Sequence, residues 1–276
     1  MKPAKSLALL AGVVLMSGAS AFAQSEPIAP PLLPPPDHEA VLALGGGFGF
    51  VSFETGLHGP VVKGAPYSAQ VVTETTQTLA DGNRIDQKRT AFVYRDSQGR
   101  TRREESLPAL GPVTASGDVH HAIFVNDPVA GVHYVFEPDQ KIAHKMSPTG
   151  DVKYVHEHVA GMHGSAKLAD QPVTESLGTQ TMEGLTVTGT RTRHTIPAGA
   201  IGNEKPIQIV LESWYSQDLQ MVIYSERTDP RMGETVYHVT NIQRTEPDAS
   251  LFQVPSDYTV QEGGPSHHIF HVNKQP

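Results

Sequence analysis

The sequence predicts a mainly β domain, an antiparallel meander with few short helices, and three observations carry that prediction. Turn-forming residues recur between Val- and Thr-rich runs from about residue 65 onward. Several runs alternate apolar and polar residues, the period of a half-buried strand. Helix signals are sparse, and the best of them, Glu157 to Leu168, is broken by Gly161 and Gly164.

The elements follow in order. Ala69 to Leu79 is the first strand, and Ala80-Asp81-Gly82-Asn83 turns the chain into Arg84 to Arg95. Asp96-Ser97-Gln98-Gly99 leads to Arg100 to Leu107, where Arg100, Arg102, Arg103, Glu104 and Glu105 read as a solvated edge strand. After a loop, Pro108 to Gly117, His121 to Val125 and Gly131 to Phe136 flank Asp127-Pro128, and Pro138-Asp139 opens Lys141 to Met146. Glu175 to Gln180 and Leu185 to Ile196 flank Glu183-Gly184. Ile207 to Tyr215, Gln220 to Arg227 and Thr235 to Arg244 complete the series, with a turn around Pro197 to Asn203.

Apolar content is uneven along this series. Ile207, Ile209 and Leu211, then Leu219, Met221 and Ile223, and also Val132, Tyr134 and Phe136, alternate with polar residues and mark the expected core face. The first two strands read as polar on both faces. One well-buried end and one wet end fit an open sheet better than a symmetric sandwich.

The N-terminus predicts export. Lys2 and Lys5 precede the apolar run Leu7 to Met16, and Ala21-Phe22-Ala23 gives the small-x-small cleavage pattern, so residues 1–23 read as a signal peptide. The run falls short of the roughly 20 apolar residues that a membrane span needs, so no stable membrane insertion is expected. Residues 24–64 form a Pro/Gly-rich spacer: six prolines lie between Ser25 and Asp37, and Gly45, Gly46, Gly47 and Gly49 follow. That glycine cluster lacks the Gly-Lys-Ser/Thr and strand–helix contexts of phosphate loops. The β domain spans 65–260, and 261–276 is a flexible tail carrying His267, His268 and His271.

The chain has no cysteine, which excludes thiolate nucleophiles, thiolate zinc sites and disulfide staples. A net charge of −8 argues against nucleic-acid binding. No Gly-x-Ser-x-Gly elbow occurs in the mature part, and Ser213 beside Trp214 reads as an exposed-face filler. No catalytic residue is assigned, no cofactor is expected, and the protein reads as a non-enzyme. Among the fourteen histidines, His156, His158 and His163 are the candidate metal ligands. On a strand His156 and His158 would share a face, an arrangement known for zinc and copper sites. A zinc-protease HExxH motif would need His where the chain has Ala160, and a solvated histidine-rich loop is the other reading.

The C-terminal third carries a resemblance. Trp214-Tyr215-Ser216-Gln217-Asp218-Leu219-Gln220 leads into Met221 to Glu226, Thr235 to Arg244 follows, and Asp248 to Tyr258 ends in Leu-Phe-x-x-Pro-x-x-Tyr. This order resembles the end of the periplasmic lipoprotein-carrier-like superfamily, which includes LolA-type carriers and RseB-type envelope-stress sensor domains. Arg95 to Arg100 is similar to the hairpin near their beginning. The chain also resembles an exported bacterial family that carries no activity over to it.

The resemblance implies an open β half-barrel in the periplasm, with extracellular export as the other destination. It implies a few helices over the concave side, and a lipid or acylated protein held there. Two features depart from it: the covering helices are hard to find, and the Pro-rich spacer is extra. A curved open sheet must have its apolar face covered by helices, a ligand or a partner. Phe136, Trp214, Met221 and Tyr224 are the candidate ligand-binding residues on that wall, with ordinary core packing the alternative for each. The expected function is a non-catalytic binding module for a lipid, lipoprotein or other apolar ligand. An envelope sensor that binds another protein and a His-based metal-binding protein are the alternatives.

Overall fold

The computed structural model describes residues 60–107, 120–146 and 172–263. These form one open sheet of twelve strands: β1 (Tyr67–Thr78), β2 (Arg84–Arg95), β3 (Thr101–Leu107), β4 (His120–Asp127), β5 (Val132–Glu137), β6 (Ile142–Met146), β7 (Val173–Met182), β8 (Leu185–Ile196), β9 (Ile207–Ser216), β10 (Met221–Asp229), β11 (Gly233–Gln243) and β12 (Thr259–Glu262). The spatial order is β12-β6-β5-β4-β3-β2-β1-β11-β10-β9-β8-β7. Two meanders, β1 to β6 and β7 to β11, are therefore joined by the β1–β11 ladder. The fold is the antiparallel, open half-barrel class expected, with one parallel contact where β12 joins β6. Among the described residues the only helical element is a four-residue 3₁₀ turn, Ala249–Phe252.

Acidic turn residues set the hairpins. Asp96 is almost fully buried, and its carboxylate accepts from the Gln98 and Arg100 amides at 3.0 and 2.8 Å while pairing with the Arg100 guanidinium. Asp127 accepts from the amides of Val129 and Ala130, both at 2.9 Å. Such side-chain bonds hold a turn that the backbone alone leaves under-satisfied.

Register assigns the side chains to two faces, because directly paired residues point the same way. On the first face, here the core face, Tyr67, Ala69 and Val71 lie opposite Arg95, Val93 and Ala91. Val71 also faces Val239, and Thr73 faces Tyr237. The face runs on through Ser225 to Ser213, and through Arg227 to Leu211. In the other direction Val93 meets Arg103, then Phe124, Val135 and His144. Most of these residues are buried, so this face is closed off across most of the sheet.

The second face is buried around Val187, Ser216 and Met221, and again at the β4–β6 end. There Val125, Phe136 and Ala143 pack with Phe252 of the 3₁₀ turn, flanked by Leu251, Val254 and Tyr258. Phe136 meets the Tyr258 ring edge-on at 5.6 Å. The Arg102 guanidinium donates to the Leu251 carbonyl at 2.8 Å, and Arg100 lies over the Phe252 ring. The Leu-Phe-x-x-Pro-x-x-Tyr ending thus acts as a clasp over β3 to β5.

Three expectations need correction. The first two strands are not polar throughout: Tyr67, Ala69, Val71, Ala91 and Val93 belong to the main core, and only the far half of the hairpin is wet. Small Ala side chains at two of those positions hide the core pattern from a hydrophobicity count. The Arg/Glu-rich β3 is not an edge strand; it pairs on both sides, with β2 and β4. Ser213 is not exposed: it lies on the core face at 5% exposure. Strand β12 was not expected at all, since four exposed residues carry no alternation.

Candidate binding face

The core face is apolar at its middle and polar toward both ends. Its middle is Ala69, Val71, Ala91, Val93 and Val239, each at most 6% exposed. Beside it, Arg95 lies over the Tyr67 ring and donates to the Ala65 carbonyl at 2.9 Å and to the Leu219 carbonyl. Burial lowers the Arg95 guanidinium from its ordinary range, while Tyr67 and Tyr215 act in the opposite sense.

Toward β3 to β6 two buried polar pairs stand on the face. Arg103 Nε donates to Glu105 Oε2 at 3.0 Å, with both side chains nearly inaccessible. His144 Nε2 meets Glu137 Oε1 at 2.9 Å. His133 lies opposite Asn126, its Nδ1 is buried without a partner, and burial holds its imidazole below the usual pKa. That keeps the ring neutral near pH 7.

Toward β8 to β10 the face carries Thr192, His194, Ser213 and Ser225, all buried, beside Ile209 and Leu211. Here Asp229 is fully inaccessible and pairs with both Arg227 and Arg231. Burial alone pushes the Asp229 carboxyl up; hydrogen bonds from Arg231 and the charge of Arg227 outweigh it and hold the group below its ordinary range.

The candidate residues from the sequence are not gathered in one place. Met221 lies in the main core at 4% exposure. Phe136 lies under the C-terminal clasp on the second face. Trp214 and Tyr224 are directly opposed on β9 and β10, on the second face, in a row that continues through His238 and Val72. Tyr224 packs edge-on against the His238 ring at 5.9 Å, and its hydroxyl donates to Glu226 at 2.8 Å. Burial, then that bond and nearby carboxylates, push its phenol up to about 12. The next row on this face is charged, with Arg191 bridging Glu175 and Glu212. His156, His158 and His163 lie outside the described residues. Among the described residues no group of three His, Cys, Asp or Glu side chains is arranged to hold a metal.

Two buried ion pairs escaped the sequence reading. The signal was present in both cases: Arg103-x-Glu105 and Arg227-x-Asp229 place opposite charges on one strand face, since side chains two apart point the same way.

Trp214 depends on Gly189, its cross-strand partner on β8. A Cβ at 189 would stand 2.6 Å from Cζ3 and 2.7 Å from Cε3 of the Trp214 ring. Gly189→Ala is therefore expected to swing the ring outward and to cost about 1–3 kcal/mol. Trp214 is the sole tryptophan, so its emission reports the change directly. An unshifted emission spectrum with an unchanged urea midpoint would refute the contact.

No protein-family model matches the chain and no curated protein matches it. Among solved structures it is similar to the MucA/MucB complex of Pseudomonas aeruginosa, at 10% identity and TM-score 0.38, over 72% of this chain and 59% of that one. It is also similar to the lipoprotein LppX of Mycobacterium tuberculosis, at 12% identity and TM-score 0.30, over 76% and 98%. A third is a LolA-superfamily protein from Nitrosomonas europaea, at 9% identity and TM-score 0.30, over 74% and 96%. At these identities and TM-scores the likenesses assign no role to this chain, and function is argued from its own residues.

Proposed function

We propose that the protein is an exported, periplasmic binding module that holds a lipid, a lipoprotein acyl group or another apolar ligand without catalysing a reaction. The observation that carries this reading is the core face. A sheet open at β7 and β12 presents small and β-branched side chains across its middle, and no helix layer lies against them among the described residues. Sheets whose apolar face lacks a second layer are covered by curvature, a ligand or a partner. Ala69 and Ala91 present little bulk there, which leaves room for a chain that enters. In this reading Ala69, Val71 and Ala91 are the ligand contacts, whereas Phe136, Trp214, Tyr224 and Met221, which pairs with Ser216 on the Trp214 side of β9, support the second face and contribute indirectly.

The test is native mass spectrometry on the mature protein, purified from the periplasm without detergent. The expected result is a reproducible added mass that solvent extraction identifies as a lipid. A clean apo mass, with a second protein retained in stoichiometric amount, would replace the lipid reading with a partner-binding one.

A further inference from the structure

Arg227, Asp229 and Arg231 do not balance. The Asp229 carboxylate accepts from Arg227 Nη2 at 2.7 Å, from Arg231 Nε and Nη2 at 3.0 and 2.8 Å, and from the Arg231 amide at 3.0 Å. Four donors saturate it, yet two guanidiniums face one carboxylate, which leaves a positive charge over. The Arg227 side chain is only 12% exposed, and its Nε is buried with no hydrogen-bond partner. A buried guanidinium N–H without an acceptor is costly, so native proteins seldom leave one.

The surroundings of that N–H are amphiphilic. Arg227 lies opposite Leu211 on β9 and Thr235 on β11, and Leu211 lies opposite Thr192 on β8. One step along the strands stand Ser213 and Ser225, which face each other; one step the other way stand His194 and Ile209, which do the same. All six of the named β8–β10 neighbours are at most 8% exposed. Glu212 and Glu226, the nearby carboxylates, alternate onto the opposite face and cannot serve as acceptors there. The apolar middle of the core face begins farther along the neighbouring strand, at Val239, and continues to Val71 on β1.

We propose that Arg227 marks a buried oxyanion subsite that takes the carboxylate or phosphate head of an amphiphile whose apolar chain lies along the core face. Resting on the binding-module reading above, this subsite names the head-group chemistry that the module selects. The oxyanion accepts from Arg227 Nε and offsets the surplus positive charge, with the Ser213 and Ser225 hydroxyls within the same patch.

Calorimetric titration of delipidated mature protein separates the possibilities with three probes: palmitate, monopalmitoylglycerol and inorganic phosphate. A charge-assisted bond predicts that palmitate binds roughly tenfold or more tightly than its neutral analogue. Arg227→Lys keeps a cation beside Asp229 but removes the Nε donor, and is expected to abolish that preference. Equal affinity for the two amphiphiles in wild type would overturn the subsite and leave the binding module standing. Phosphate bound alone, sensitive to Arg227→Lys and without any palmitate binding, would overturn the amphiphile and keep the oxyanion site. Binding of no probe would overturn subsite and module together. The wild-type comparison needs no variant, so a poorly folded lysine variant does not blunt the test.

Discussion

Glu105→Ala is expected to lower the free energy of unfolding by about 3–5 kcal/mol, the range for breaking one side of a buried ion pair. Both partners sit inside the sheet: Arg103 is 4% and Glu105 6% exposed, on a strand paired on both sides. Removing the carboxylate breaks the Arg103 Nε hydrogen bond to Glu105 and its ion pair in a place that water does not reach. The pair itself need not be stabilising. Replacing both members with apolar residues of similar volume, Arg103→Met with Glu105→Leu, is expected to restore most of the loss, because the desolvation cost of two charges disappears along with their attraction. Urea unfolding followed by far-UV circular dichroism measures all three variants. If the single variant lost less than about 1 kcal/mol, the size of an exposed pair, the buried geometry would be refuted.

Gly233→Ala is the second large effect, at about 3 kcal/mol. Gly233 opens β11 with φ +94°, outside the range that side chains tolerate well. A Cβ there would stand 2.1 Å from the Thr76 carbonyl oxygen and 3.0 Å from the Gln77 Cα. Those atoms are backbone of β1, so relief requires the β1–β11 ladder to open at its end. Hydrogen exchange is expected to quicken at residues 234–236, where β11 pairs with Glu74, Thr75 and Thr76, before it does at Val239. A wild-type midpoint for this variant would show that the close approach does not exist.

Much of the fold was legible because turns are local chemistry. Strands β2 and β8 run over the same residues that the turn signals predicted, since Asp-Gly-Asn and Glu-Gly bound them sharply. What failed was partner-dependent. Whether a charged strand such as β3 is an edge depends on which strands flank it, and no residue within β3 encodes that. The site was legible only in part. Met221 stood in an apolar alternation and proved to be core, while Ser213 is buried because it shares the core face with Leu211 and Ser225. The surplus charge at Arg227 needed coordinates: Arg-x-Asp-x-Arg gives the alternation but not the count of donors reaching one carboxylate.

The β1–β11 ladder also governs the order of assembly. Gln70 and Thr240 are bonded neighbours although 170 residues separate them. The strand at the heart of the sheet is thus the first to be synthesised and almost the last to find its second partner. Hairpins β1–β2 and β8–β9 form from near neighbours, but the core of Val71, Tyr237 and Val239 waits for the C-terminal strands. Non-local closure of this kind makes folding slow. A nascent chain that stops short of β11 lacks Tyr237 and Val239 and cannot complete the main core, even with its local hairpins formed.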